Sequence, residues 1–183
     1  MSIYISLLRG INVSGQKKVN MKELASLYQS LNLSLVSTYI QSGNVVFSCN
    51  NFTEEELAKN IENAIEKHFG FNVPVLVLSQ QTLVNALKAL PFKAISVAEQ
   101  GSQVILSFLS NEVKTESIDA LKSYLTVEEE LVTGSKLVYL HCPKGYGKTK
   151  LSNTFLEKKL AVTATSRNLK TVVKLCEMAA EIT

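Results

Sequence analysis

The residues best suited to chemistry fall in two short polar stretches, Arg9-Gly10-Ile11-Asn12 and Gln41-Ser42-Gly43-Asn44. An arginine offers a planar, permanently charged fork for a carboxylate or phosphate. Asn, Gln and Ser side chains add neutral donors and acceptors, and glycines let backbone amides come close to a ligand. Such a set suits holding an anion more than moving protons. Neither stretch contains an acid, so paired-carboxylate catalysis and a carboxylate-bound magnesium have little support there. The nearby serines have no histidine base beside them. The same Asn, Ser and Gly types also serve as plain turn residues, and that reading stays open beside the functional one.

The other reactive side chains are less promising. His68 and His141 are the only histidines. His68 falls on the apolar side of a helical pattern and reads as a core or boundary residue. His141 ends a strand pattern beside Cys142, which points to the other face, so the two make a poor metal pair. Cys49, Cys142 and Cys176 are scattered, without a Cys-x-x-Cys, which disfavours a disulfide framework and a cysteine-built metal site. Gly147-Lys148-Thr149 resembles the end of a P-loop, but Cys142 stands where its first glycine belongs. Lys144, Tyr146, Lys148 and Lys150 remain as cations around one aromatic, suited to gripping a phosphate backbone or to plain solvation. No catalytic residue and no cofactor is assigned, and whether the chain is an enzyme stays open.

Net charge is +3, unevenly spread. Arg9, Lys17, Lys18 and Lys22 share a stretch without an acid, and from Lys136 to Lys174 a lone Glu157 faces nine cations. Acid gathers instead at Glu54-Glu55-Glu56 and Glu128-Glu129-Glu130. The asymmetry suggests an anionic partner, a small molecule at the first stretch or nucleic acid along the C-terminal third. With 183 residues, 46% of them hydrophobic, the chain can bury a real core. The apolar run from Ile3 to Leu8 is too short to span a bilayer, and no membrane partner is expected. A soluble, cytoplasmic protein is the expectation; its oligomeric state is left open.

The elements that position these residues follow from periodicity. Ser2 to Leu8 predicts a strand and Asn20 caps a helix with Leu24, Leu27, Tyr28 and Leu31 on one face. Strands around Leu35–Ile40 and Val45–Ser48 flank the Gln41–Asn44 turn, where Gly43 supplies a positive φ. Thr53-Glu54-Glu55-Glu56 is a capping box, and the helix it opens stops at Gly70. Pro74 marks the next strand as an edge. Strand, helix, strand, strand, helix, strand is the split βαβ, or ferredoxin-like, order. After a helix ending near Pro91 and an irregular linker from Phe92 to Ser102, the pattern starts again at Gln103. No clear final strand is predicted there. Thr165-Ser166-Arg167-Asn168 reads as the cap of a last helix. The expected fold is therefore α+β: two tandem ferredoxin-like halves with antiparallel sheets and a helical C-terminus. The halves are residues 1–91 and 92–183, the second with an altered last strand.

Connection handedness then brings the two polar stretches together. The first two strands of a split βαβ unit run parallel, so the loops that follow them lie at the same end of the sheet. Arg9, Asn12, Lys18, Gln41, Ser42 and Asn44 are the candidate binding residues at that end, with the helix opened by Asn20 beside them.

Two motifs, Leu8-Arg9-Gly10-Ile11-Asn12-Val13 and Thr38-Tyr39-Ile40-Gln41-Ser42-Gly43-Asn44-Val45-Val46-Phe47, resemble those of a bacterial family catalogued only as a domain of unknown function. Lys150-Leu151 is similar to its Ser-Lys-Leu segment, with Thr149 in place of the serine. Thr165 to Val172 is similar to its Thr-Ala-Arg-Asn-Trp-Arg-Thr-Val segment, departing at Ser166, Leu169 and Lys170. The resemblance implies no settled activity. It adds Lys150, Arg167 and Asn168 to the candidate ligand-binding residues; the residues themselves assign no metal site.

Overall fold

The computed structural model of the chain describes residues 1–182. It contains two four-stranded antiparallel sheets, each with the same topology. In the first, β1 (Ser2–Leu8), α1 (Met21–Ser30), β2 (Ser34–Tyr39), β3 (Asn44–Cys49), α2 (Glu54–Phe69) and β4 (Val75–Ser79) give the strand order β2-β3-β1-β4. Then come α3 (Gln80–Lys88) and a one-turn helix α4 (Val97–Gln100), inside the stretch expected to be irregular. In the second sheet, β5 (Val104–Leu109), α5 (Thr115–Asp119) with its 3-10 extension to Tyr124, β6 (Glu130–Gly134), β7 (Leu137–His141), α6 (Asn153–Leu160) and β8 (Ala164–Asn168) give β6-β7-β5-β8. Helix α7 (Leu169–Glu181) closes the described chain. The chain divides into two compact units, Met1–Val84 with the residues from Leu175 on, and Asn85–Lys174.

The local causes are legible in the first unit. Asn20 Oδ1 accepts the Lys22 and Glu23 amides and starts α1. Thr53 and Glu56 exchange bonds in a capping box that starts α2, and Gly70, at φ 81°, ends it. Accepting the Thr53 backbone and hydroxyl protons holds the Glu56 carboxyl below its usual range. Leu24, Tyr28, Leu57, Ile61 and Ile65 from the two helices close over Leu8, Val45 and Phe47 of the sheet. Each fully buried Leu or Ile contributes about 1.5–3 kcal/mol. Tyr28 is fully buried, bonds Ser6 Oγ at 2.8 Å and sets its ring edge-on to Phe47. Burial pushes its phenol pKa up.

The second unit repeats the first in bonds as well as in order. Leu8 N–H donates to Gly43 O at 2.8 Å, and Leu109 N–H to Lys136 O at 2.8 Å. Arg9 N–H donates to Pro74 O, and Ser110 N–H to Thr163 O, each at 2.9 Å. Carboxylates on α2 and α6 accept the amide that opens the following strand: Glu62 takes Val75 N–H and Glu157 takes Ala164 N–H.

Two expectations are corrected. A final strand does exist: β8 pairs with β5 from Ala164 opposite Leu109 to Asn168 opposite Ile105. Its polar composition is tolerable because it is an edge strand and because Ser166 Oγ meets Ser107 Oγ at 2.6 Å across the pair. Asn168 does cap α7, accepting Thr171 N–H at 2.9 Å, so the capping role and the strand share residues. His68 is not in the core. It is exposed at the end of α2, where Nε2 lies 2.7 Å from Glu23 of α1.

Gly43 tests this packing. It has φ +80°, and a Cβ there would lie 2.6 Å from Leu8 Cβ and 2.8 Å from Ile11 Cδ1. Gly43→Ala is expected to cost about 2–4 kcal/mol in urea unfolding, adding backbone strain to overpacking. Gly15→Ala, at φ +75° with nothing within 4 Å, is expected to cost only about 1 kcal/mol.

Candidate functional site

Strand register sets the site. Strands β1 and β2 each pair antiparallel with β3, which lies between them, so they run parallel, and the connections after them share one end. Leu7 pairs with Asn44, the Leu8–Gly43 bond follows, and Arg9 comes level with Ser42. Alternation places Arg9 on the same face as Leu7 and Asn44, away from α1 and α2.

The connection from β1 to α1 is pinned at both ends. Ile11 and Val19 are buried in the unit's core. Between them Asn12, left-handed at φ 54°, makes a clip. Its Oδ1 accepts Val19 N–H at 2.8 Å, and its Nδ2 donates to Val19 O and to Gln41 O, both at 3.0 Å. One side chain thus ties the loop's two ends together and ties both to the β2–β3 turn. Asn44 is fully buried and does the same within the turn, donating to Tyr39 O and Ser42 Oγ at 3.0 Å. Both asparagines spend these donors on the protein, so they shape the site more than they face a ligand.

Beyond the clip the chain forms a small exposed hairpin. Asn12 N–H donates to Lys17 O and Gln16 N–H to Val13 O, with Ser14 and Gly15 left-handed at φ 51° and 75°. Positive φ at both central positions is the I′ turn that suits a tight hairpin. Lys17, at φ 44°, reaches from the hairpin to Asn72 O at 2.6 Å. Lys18 is exposed and Arg9 half-buried. No acid occurs between Arg9 and Lys22.

The structure thus brings Arg9, Asn12, Gln41, Ser42 and Asn44 to one end of the first sheet, with Lys18 on the hairpin that rises from it. Lys150, Arg167 and Asn168 belong to the second unit. Lys150 is exposed, half-buried Arg167 donates from Nη1 to Ser166 O at 2.9 Å, and Asn168 caps α7. In the basic loop after β7, Lys144 is paired with Glu128 and Tyr146 donates its phenol proton to Ser166 Oγ.

Thiol chemistry is disfavoured at Cys142 and Cys176. Burial pushes Cys142 up to about 12 and Cys176 up to about 11, with Glu129 and Glu177 adding to the effect. Among the described residues, no group of three or more His, Cys, Asp or Glu side chains could hold a metal ion. No helix among them is long and apolar enough to cross a membrane.

A family model described as "Protein of unknown function (DUF1697)" matches residues 1–139. The chain belongs to that family. Among solved structures, this DUF1697 chain is similar to conserved bacterial protein SP0830 from Streptococcus pneumoniae. The two share 26% identity and a TM-score of 0.76, over 97% of this chain and 98% of that one. Among curated proteins, none matches. The matched residues include the whole first unit up to Val84, with the Asn12 clip and the turn it holds.

Asn12→Ala is expected to lower stability by about 1–3 kcal/mol, since it strips partners from three backbone groups. Hydrogen exchange at the Val19 amide should accelerate beyond that global loss. Unchanged protection of Val19 would show that the clip does not hold the loop.

Proposed function

We propose that the chain binds a small phosphate-bearing or nucleotide-like anion at the end of the first sheet, between the Arg9–Asn20 loop and the Gln41–Asn44 turn. The single observation behind the reading is a difference between the two units. Their sheets have one topology and share the backbone bonds that close each sheet end. Yet twelve residues, Arg9 to Asn20, join β1 to α1, and only five, Ser110 to Lys114, join β5 to α5. The fold therefore does not need the longer loop. The extra length carries the clip, the hairpin, three left-handed non-glycine residues (Asn12, Ser14 and Lys17) and the acid-free run of cations. Left-handed non-glycine residues cost free energy and persist where the surroundings hold them, often at binding sites. At the matching end of the second unit, Ser135 is instead bonded to the carboxylate of Glu112 at 2.8 Å.

In this reading Arg9 supplies the main charge-assisted contact, and Lys18 and the Gln41 side chain add to it. Ser42 lies within reach, while Asn12 and Asn44 hold the frame. Calorimetric titration with inorganic phosphate and a panel of nucleotides is the test. At least one member should give saturable heat that weakens by about tenfold or more in Arg9→Ala, as expected for loss of a hydrogen bond to a charged group. Saturation should also weaken with added salt. No saturable heat with any member, or unchanged affinity in Arg9→Ala, would overturn the proposal.

A further inference from the structure

Two side chains at this end break local rules. Val13 is 59% exposed on the hairpin and Ile40 is 49% exposed in the β2–β3 turn. Both occupy positions that turns usually give to polar residues. Ile40 is also left-handed, at φ 48°. For a β-branched residue that conformation is a genuine outlier. So exposed an isoleucine recovers little burial energy to offset it. Leu35 is also left-handed and exposed, but it sits at the other end of β2, where the register shifts between Ser34 and Ser37. No such shift accounts for Ile40.

The two residues are not scattered. Val13 follows Asn12 and Ile40 precedes Gln41, and Asn12 Nδ2 donates to Gln41 O at 3.0 Å. The clip that shapes the proposed anion site therefore also joins the two backbone segments that carry these exposed apolar groups, the loop that holds Arg9 and Lys18 and the turn that holds Ser42. A bare inorganic anion gives such groups nothing to contact.

From this placement we infer that the ligand is a soluble phosphate ester whose apolar or aromatic substituent lies on Val13 and Ile40 while its phosphate meets Arg9. The inference rests on the anion-binding reading above and narrows it to a ligand class. Inorganic phosphate, hexyl phosphate and phenyl phosphate, titrated in parallel against the full chain, test it. Hexyl and phenyl phosphate should bind about tenfold or more tighter than inorganic phosphate, as burial of several apolar groups predicts. Val13→Ser should cut that ratio severalfold. Ile40→Asn should do the same while raising the unfolding midpoint, because asparagine tolerates the left-handed conformation. A gain in stability with a loss of ester preference would rule out misfolding as the cause.

Equal affinity for inorganic phosphate and both esters would overturn the inference and leave the anion site standing. No binding of any of the three would overturn the inference, and the anion-binding reading falls with it when the nucleotide panel is silent as well. Sedimentation with phosphatidic acid–phosphatidylcholine vesicles, without binding of hexyl phosphate in solution, would overturn it in favour of a lipid surface.

Discussion

One amide side chain governs the end of the first sheet. Asn12 bonds the two ends of a twelve-residue loop to each other and to the neighbouring turn through three contacts of 2.8–3.0 Å. Without those bonds Val19 N–H, Val19 O and Gln41 O would need water or new partners. Ile11 and Val19, buried on either side, make the clip rigid by anchoring its flanks in the core. Everything beyond it, the hairpin with Lys17 and Lys18 and the turn with Ile40, inherits its position from this arrangement.

The internal repeat separates what the fold requires from what has been added to it. Bonds found in both units belong to the architecture: the ties that close each sheet end, and the helix carboxylates that hold Val75 and Ala164. Features found in one unit are free to serve something else. At this end the first unit carries a longer loop, a clip and two exposed apolar residues, Val13 and Ile40, while left-handed non-glycine residues occur in the second unit too, at Lys136 and Ala161. Local rules broken together, in a place where the fold does not need them broken, are the physical signature of a site.

Much of the architecture could be read from the chain. Apolar alternation marked the strands, the Thr53 box and Gly70 bounded α2, and Pro74 marked the edge at which β4 lies. Strand β8 was hidden because Thr165-Ser166-Arg167-Asn168 has the composition of a cap, and only the Ser107–Ser166 contact across the sheet explains why it can be a strand. His68 was misplaced because helical spacing cannot see Glu23 on a different helix. Connection handedness brought the Arg9 loop and the Gln41–Asn44 turn to one sheet end, as the structure has them, but residue types did not show what each side chain bonds there. Asn12 and Asn44 have the same donors whether they face a ligand or a backbone carbonyl, and only the fold decides between the two. The hairpin from Asn12 to Lys17 was signalled by Ser14-Gly15 alone, too short a motif to stand out from the surrounding loop.

The proposal is one of location: a binding surface at the end of the first sheet of this DUF1697 chain and none at the matching end of its second. Backbone amide chemical shifts followed during a titration with inorganic phosphate test it most directly. The account predicts saturable shifts concentrated in Gly10–Val19 and Gln41–Asn44, with Ser110–Lys114 and Ser135–Lys136 unmoved. Shifts confined to the second unit, or scattered evenly over exposed lysines in both, would contradict it.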